Sequence, residues 1–280
     1  MLEKKEEIRL VATDLDGTFL KDDRTVSQKC LEALELLGRK NITRVVATGR
    51  NMLKVRDVLD EQVPFDFIVY SSGAGIYDWK NRKNIFTQNI NSETSKKLLS
   101  FFVQKKLNFH AFFPSPENHK HWYWRGENGC EEFERYFNYN KKYGFELKED
   151  EIPDTELSQL LIFIPENKGK FEHLKKEIEK FRSDIRVIRT SSPITRGYIW
   201  IEIFHKSVSK GNGVKHICDL KGIDRKQTLG IGNDYNDLDL LEFTNHSFVT
   251  ENAPEEIKVM FQTVPSNEKD GFVFAVQPII

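Results

Sequence analysis

Cysteine is scarce in this chain: three residues in 280, Cys30, Cys130 and Cys218. They are odd in number and widely spaced, which argues against a disulfide framework and for free thiols in a reducing compartment. Long apolar runs are also missing. No stretch approaches the roughly 18 residues that a membrane-spanning helix needs. The opening residues, MLEKKEEIRL, are charged and lack the apolar region of a secretory signal. The cytoplasm is therefore the expected compartment. An excess of either charge is absent as well: 42 Lys plus Arg stand against 43 Asp plus Glu. That balance gives no reason to expect nucleic acid or an acidic membrane as partner.

What is present fits a soluble globular protein, with 39% hydrophobic and 30% charged residues. At about 150 residues per domain, the length suggests one or two domains. Short apolar runs alternate with helical patterns at both ends of the chain. The run 8–13 leads to an amphipathic helix over 27–40, with Leu31, Leu34 and Leu37 at helical spacing. ITRVVAT (42–48) reads as a second strand, NMLKVRDVLDEQ (51–62) as a helix and FIVYS (67–71) as a third strand. The pattern returns with SKGNGVKHICDL, TLGIG (228–232), YNDLDLLEF, HSFVT (246–250) and APEEIKVM. Strand and helix in alternation predict a parallel sheet with crossover helices.

The middle of the chain differs. SETSKKLLSFFVQKK and GKFEHLKKEIEKFRS read as helices, and HWYWR, LLIFI, RVIRT and YIWIEIF as strands. Without strict alternation, these suggest an α+β unit with helices on one face of its own sheet. The expected architecture is α/β: a Rossmann-like parallel-sheet core from 1–81 and 206–280, with an α+β cap inserted at 82–205.

In VATDLDGTFL, Asp14 and Asp16 end the first strand. An extended chain would point both to one side, where their carboxylates repel unless a cation or a bound anion uses them. Ligands of open parallel sheets bind beyond the carboxyl ends of the strands. There the sequence places Asp14 and Asp16, then Thr48-Gly49-Arg50, then Ser71-Ser72-Gly73, then Asn233, Asp234, Asn236 and Asp237. Lys210 opens a later helix. A cation, hydroxyls and acids at one sheet edge suit phosphoryl transfer, which depends on positioning and charge neutralisation. Arg50, read alone, is expected to pair with a surface acid.

DLDGTFL, ATGR, VSKGNGV and GNDYNDLDLL, in that order, resemble the four motifs of the haloacid dehalogenase superfamily. The large insertion between the second and third resembles the Cof-type branch, mostly phosphatases of sugar phosphates and related metabolites. The resemblance implies a Mg²⁺-dependent phosphatase of a small phosphorylated metabolite. Asp14 would be the nucleophile, Asp16 the general acid and then base, Thr48 a donor to a phosphoryl oxygen and Lys210 a neutralising cation. Leu15 and Gly49 would join Asp14, Thr48 and Lys210 in holding the phosphate. Asp14, Asp16 through its backbone carbonyl, Asn233 and Asp237 would hold the metal, with Asp234 unassigned. The cap would select the substrate. A phosphomutase or phosphotransferase, and a phosphometabolite-binding protein with weak catalysis, are the alternatives.

Three positions depart from the motifs. Asn233 stands where an acid is usual, Ser72 where Asn is frequent, and Ser207 where glycine is common. In HKHWYWRG, His119 and His121 lack a cysteine or carboxylate at zinc spacing, so a zinc site is not expected. His121, Tyr123 and Arg125 would share one strand face, Trp122 and Trp124 the other, one face packed and one exposed. Tyr123 and Arg125 are candidates for gripping substrate.

Overall fold

The computed structural model describes residues 7–127, 129–181, 183–192 and 194–280. Two compact units emerge, residues 1–86 with 209–280 and residues 87–208. The first unit begins with β1 (Leu10–Thr13), α1 (Gln28–Arg39), β2 (Thr43–Ala47), α2 (Met52–Arg56) and β3 (Phe67–Tyr70). Two further strands, β4 (Gly75–Asp78) and β5 (Lys83–Thr87), follow before the chain leaves it. The second unit holds α3 (Ser92–Gln104), β6 (Phe109–Phe112), β7 (His121–Trp124), α4 (Glu131–Asn140) and β8 (Gly144–Glu146). It closes with β9 (Gln159–Pro165), α5 (Lys168–Phe181), β10 (Ile185–Ser191) and β11 (Tyr198–His205). The chain then returns with α6 (Lys210–Lys221), β12 (Thr228–Gly232), α7 (Leu238–Phe243), β13 (His246–Thr250), α8 (Glu255–Lys258), β14 (Gln262–Val264) and α9 (Gly271–Val276).

The first sheet runs β14-β13-β12-β1-β2-β3-β4-β5. It is parallel from β14 to β3, and β4 pairs antiparallel with β3. Its central strands are apolar on both faces, as a sheet covered on both sides requires. Val11, Val46 and Ile68 join Leu34 and Leu37 of α1 in one core cluster. Leu10, Ala12, Val45, Ala47 and Val69 join Val214 and Ile217 of α6 in another. Burying one such side chain contributes roughly 1.5–3 kcal/mol. Ser27 caps α1 by accepting the Cys30 N–H, and Ser209 caps α6 by accepting that of Asn212.

The core departs from the sequence reading in two places. The helix expected over 51–62 ends at Arg56, and turns fill the rest. The hairpin β4–β5 was not foreseen, and it extends the first unit to residue 86 rather than 81. Alternation in GIYD and KNIFT is too short to mark strands without the neighbour they pair with.

The second sheet has the order β10-β11-β9-β6-β7-β8. All its pairs are antiparallel except β7–β8. Leu98, Leu99 and Phe102 of α3 and Phe171 and Ile178 of α5 pack with Phe109, Leu160, Ile162 and Ile201. The expectation of helices on a single face is corrected by α4, which the sequence reading missed. Its Phe133, Tyr136 and Phe137 pack with Phe112, Leu161, Phe163 and Trp200. Both faces of β7 are therefore used: Tyr123 joins the α4 cluster, and Trp122 and Trp124 pack toward the α3–α5 cluster. Among the described residues, no helix is long and apolar enough to cross a membrane.

Candidate active site

Strand β1 ends at Thr13, Asp14 is still extended, and the extended run expected to carry through Asp16 breaks at Leu15. Asp14 still donates its N–H to the Ile231 carbonyl at 3.0 Å, and the chain then coils through Leu15–Phe19. Gly17, at φ 72°, lets it turn, and a Cβ there would sit 2.5 Å from the Asn233 side chain. The two carboxylates therefore do not lie side by side on a strand, and each has its own cation. Asp14 is 5% exposed. It accepts a hydrogen bond from Lys210 Nζ at 2.7 Å. The Asp16 side chain is 48% exposed and accepts two hydrogen bonds from Arg50, at 2.6 Å each from Nε and Nη2.

Lys210 is fully buried at the start of α6, and its ammonium is shared. It reaches Asp237 Oδ1 at 2.6 Å as well as Asp14, with Asn236 Oδ1 at 3.4 Å. The start of α6 is held in place by Gly73. At φ 103° this residue passes so close to Ser209 that a Cβ would meet the Ser209 carbonyl oxygen at 2.2 Å. Burial works against charge on Lys210, but Asp14 and Asp237 outweigh it and raise its affinity for the proton. Burial pushes Asp14 above the usual carboxylate range; Lys210 opposes that rise, and Asp237 and Asp16 add to it.

Asp237 is entirely buried, and its second oxygen accepts the backbone N–H groups of Asn233 at 2.8 Å and Asp234 at 3.0 Å. Both of its oxygens are thus engaged by protein donors. Asn233, for its part, accepts a hydrogen bond from Thr18 Oγ1 at 3.0 Å. Thr48, at the end of β2, is buried. Its hydroxyl oxygen accepts the Arg50 N–H at 3.1 Å, which leaves the hydroxyl proton to be donated elsewhere. The carbonyl of Thr48 takes the Ser72 N–H at 2.9 Å, and that of Arg50 takes the Ser71 N–H at 2.8 Å. Gly49 lies beside Asn236 and Ser72.

One unit therefore brings Asp14, Asp16, Thr48, Lys210, Asn233 and Asp237 to one edge of its sheet. Arg50, expected on a surface acid, does pair with an exposed one, but that acid is Asp16 of this group. Its place directly after Thr48-Gly49 was the available signal. Thr18 carried none, because its partner lies 215 residues along the chain. Tyr123 and Arg125 belong to the inserted unit. There Arg125 donates to Glu134 at 2.8 and 3.2 Å and lies over the Phe137 ring at 4.4 Å.

Among the described residues, no three His, Cys, Asp or Glu side chains are grouped to hold a metal. Asp14, Asp16, Asn233 and Asp237, the residues expected to hold a metal, offer carboxylate, amide and backbone oxygens. That set fits a hard cation which keeps part of its water, and does not suit zinc.

Known proteins resemble this chain along nearly its whole length. YxeH of Bacillus subtilis (strain 168), whose name as a phosphatase is provisional, is 25% identical over 97% of this chain and 98% of its own. The 5-amino-6-(5-phospho-D-ribitylamino)uracil phosphatase YwtE of Bacillus subtilis (strain 168) is 24% identical over 98% of each chain. The solved structure of the subclass IIB sugar phosphatase BT4131 superposes with a TM-score of 0.76 at 20% identity, covering 97% of this chain and 100% of that one. Residues 11–276 match the family of haloacid dehalogenase-like hydrolases, and the chain belongs to that family.

Proposed function

We propose that this chain is a metal-assisted phosphatase of a small phosphorylated metabolite, with a sugar or polyol phosphate as the substrate class. The observation that carries it is the buried contact between Asp14 and Lys210 at 2.7 Å. A carboxylate kept out of water and held by an ammonium suits a nucleophile that must meet an anionic phosphate. The names of YwtE and BT4131 support the substrate class.

In this reading Asp14 attacks phosphorus, the ester bond breaks, and an aspartyl phosphate forms. Asp16 gives its proton to the departing oxygen, then takes one from the water that cleaves the acyl phosphate. The Thr48 hydroxyl donates to a phosphoryl oxygen, and the backbone N–H groups of Leu15 and Gly49 help cradle the group. Lys210 offsets the negative charge gathered on Asp14 and the phosphoryl oxygens. Asp14, the backbone carbonyl of Asp16 and Asn233 are the residues that would hold Mg²⁺, and Asp237 supports them from behind. The bound ion would supply charge neutralisation between Asp14 and phosphate. The inserted unit selects the substrate.

Asn233 favours a second reading, a binder of phosphorylated metabolites with weak turnover, because it brings no charge to the metal. A screen of several dozen phosphate esters with and without Mg²⁺, repeated with Asp14→Asn, separates the two. Turnover that needs both Mg²⁺ and Asp14 supports the phosphatase. Phosphate release that survives Asp14→Asn rejects it, and ester binding without release supports the binder. An isomeric ester as product, instead of inorganic phosphate, points to a phosphomutase.

A further inference from the structure

Arg50 is the more firmly held member of its pair with Asp16. Its side chain is 18% exposed against 48% for Asp16. The Arg50 N–H donates to the Thr48 hydroxyl at 3.1 Å, and its carbonyl accepts from Ser71. Nη1 reaches the Lys54 carbonyl at 3.3 Å, near the end of α2. The Arg50 backbone is thus tied to Thr48 and to the loop after β3, and its guanidinium is anchored on the α2 backbone. Its remaining donors grip both oxygens of Asp16. Asp16 itself sits at the bend before Gly17, and among the described residues only Arg50 hydrogen-bonds its carboxylate.

We propose that Arg50 is the positioning residue for Asp16: its guanidinium fork fixes where the carboxylate lies relative to the oxygen that leaves phosphorus. This rests on the phosphatase reading above. The fork matters because it constrains two oxygens at once, whereas an ammonium acts as a point charge and constrains neither orientation nor plane. Proton transfer to a departing oxygen depends steeply on such placement. Arg50 itself exchanges no proton.

The dependence on leaving group tests the proposal. Aryl phosphates from p-nitrophenyl phosphate to phenyl phosphate are compared by kcat/KM in the wild type, Arg50→Lys and Arg50→Gly. p-Nitrophenolate leaves without a proton; phenolate departs far better with one. The loss in Arg50→Lys should be about tenfold to a hundredfold on phenyl phosphate and no more than about threefold on p-nitrophenyl phosphate. Added ethylguanidinium should restore part of the phenyl phosphate turnover of Arg50→Gly. An equal loss on every ester overturns the proposal and makes Arg50 a phosphate grip or a structural group, and no loss overturns it too. Asp14→Asn, run alongside, separates the two ideas. If it remains active, or the wild type cleaves no ester, the phosphatase reading falls. If it is silent while Arg50→Lys keeps the wild-type dependence, only the role of Arg50 falls.

Discussion

Lys210 and Asp237 meet at 2.6 Å with both side chains withdrawn from water, and Asp237 uses its other oxygen to hold the backbone of Asn233 and Asp234. One carboxylate therefore ties the ammonium of α6 to the loop after β12. The same ammonium reaches Asp14 at the end of β1, so three distant segments share one charge cluster.

Breaking this cluster should cost stability before it costs anything else. Asp237→Ala leaves the loop amides without their acceptor and Lys210 with a single counter-ion. The expected loss is about 3–5 kcal/mol by urea denaturation. Lys210→Met, which strands two carboxylates, should lose a similar amount. The double variant should lose clearly less than the sum, since each single change leaves charges unpaired that the other removes. Additive losses would mean the three groups do not act together.

Asn233→Asp adds a carboxylate among the oxygen donors beside Asp14. Mg²⁺ affinity, measured by titration calorimetry without substrate, should rise by about tenfold or more, the factor that corresponds to about 1.4 kcal/mol. The same change removes the amide from a position next to Gly17, where Thr18 now donates to it. An unchanged affinity would show that position 233 does not face the ion.

Gly73→Ala should shift the start of α6. A side chain at φ 103°, aimed at the Ser209 carbonyl, has no room unless that backbone moves. A loss of more than about 1 kcal/mol and lower turnover are expected. Wild-type melting and activity would contradict the close approach.

The inserted unit should lose stability in mild acid. His110 and His121 are fully buried, their rings 4.8 Å apart, and neither ring nitrogen of His110 has a hydrogen-bond partner among the described residues. Burial pushes His121 down to about 4. Burial likewise holds His110 well below its ordinary value, with His121 and Arg125 adding repulsion. The unfolded chain, with ordinary imidazoles near 6.5, then binds more protons than the folded one. Stability should therefore be full above about pH 6.5 and fall as the pH drops toward 4. Denaturation followed by tryptophan fluorescence suits this test, since all four tryptophans, Trp79, Trp122, Trp124 and Trp200, can be read separately by replacement. His110→Phe, which keeps the stacking against Phe133, should flatten the pH dependence. A melting midpoint that stays level between pH 7 and 5 would refute the account.

The sequence by itself determined the alternation of β1, α1, β2 and β3, because strands buried on both faces must be continuously apolar and their crossover helices amphipathic. It also determined which residue types gather at the strand ends, since each motif is local and its loop follows its strand directly. Only the tertiary structure decided how those residues pair. That Asp14 takes Lys210, that Asp16 takes Arg50, and that Thr18 meets Asn233 are choices between partners up to 215 residues apart. It likewise decided that α4 covers the second face of the inserted sheet. The helix carries three aromatic contacts but also six charged or amide side chains in ten residues, and only the sheet beneath it shows which side is apolar. Local pattern fixes where an element runs, whereas charge pairing and face coverage depend on what the folded chain brings alongside.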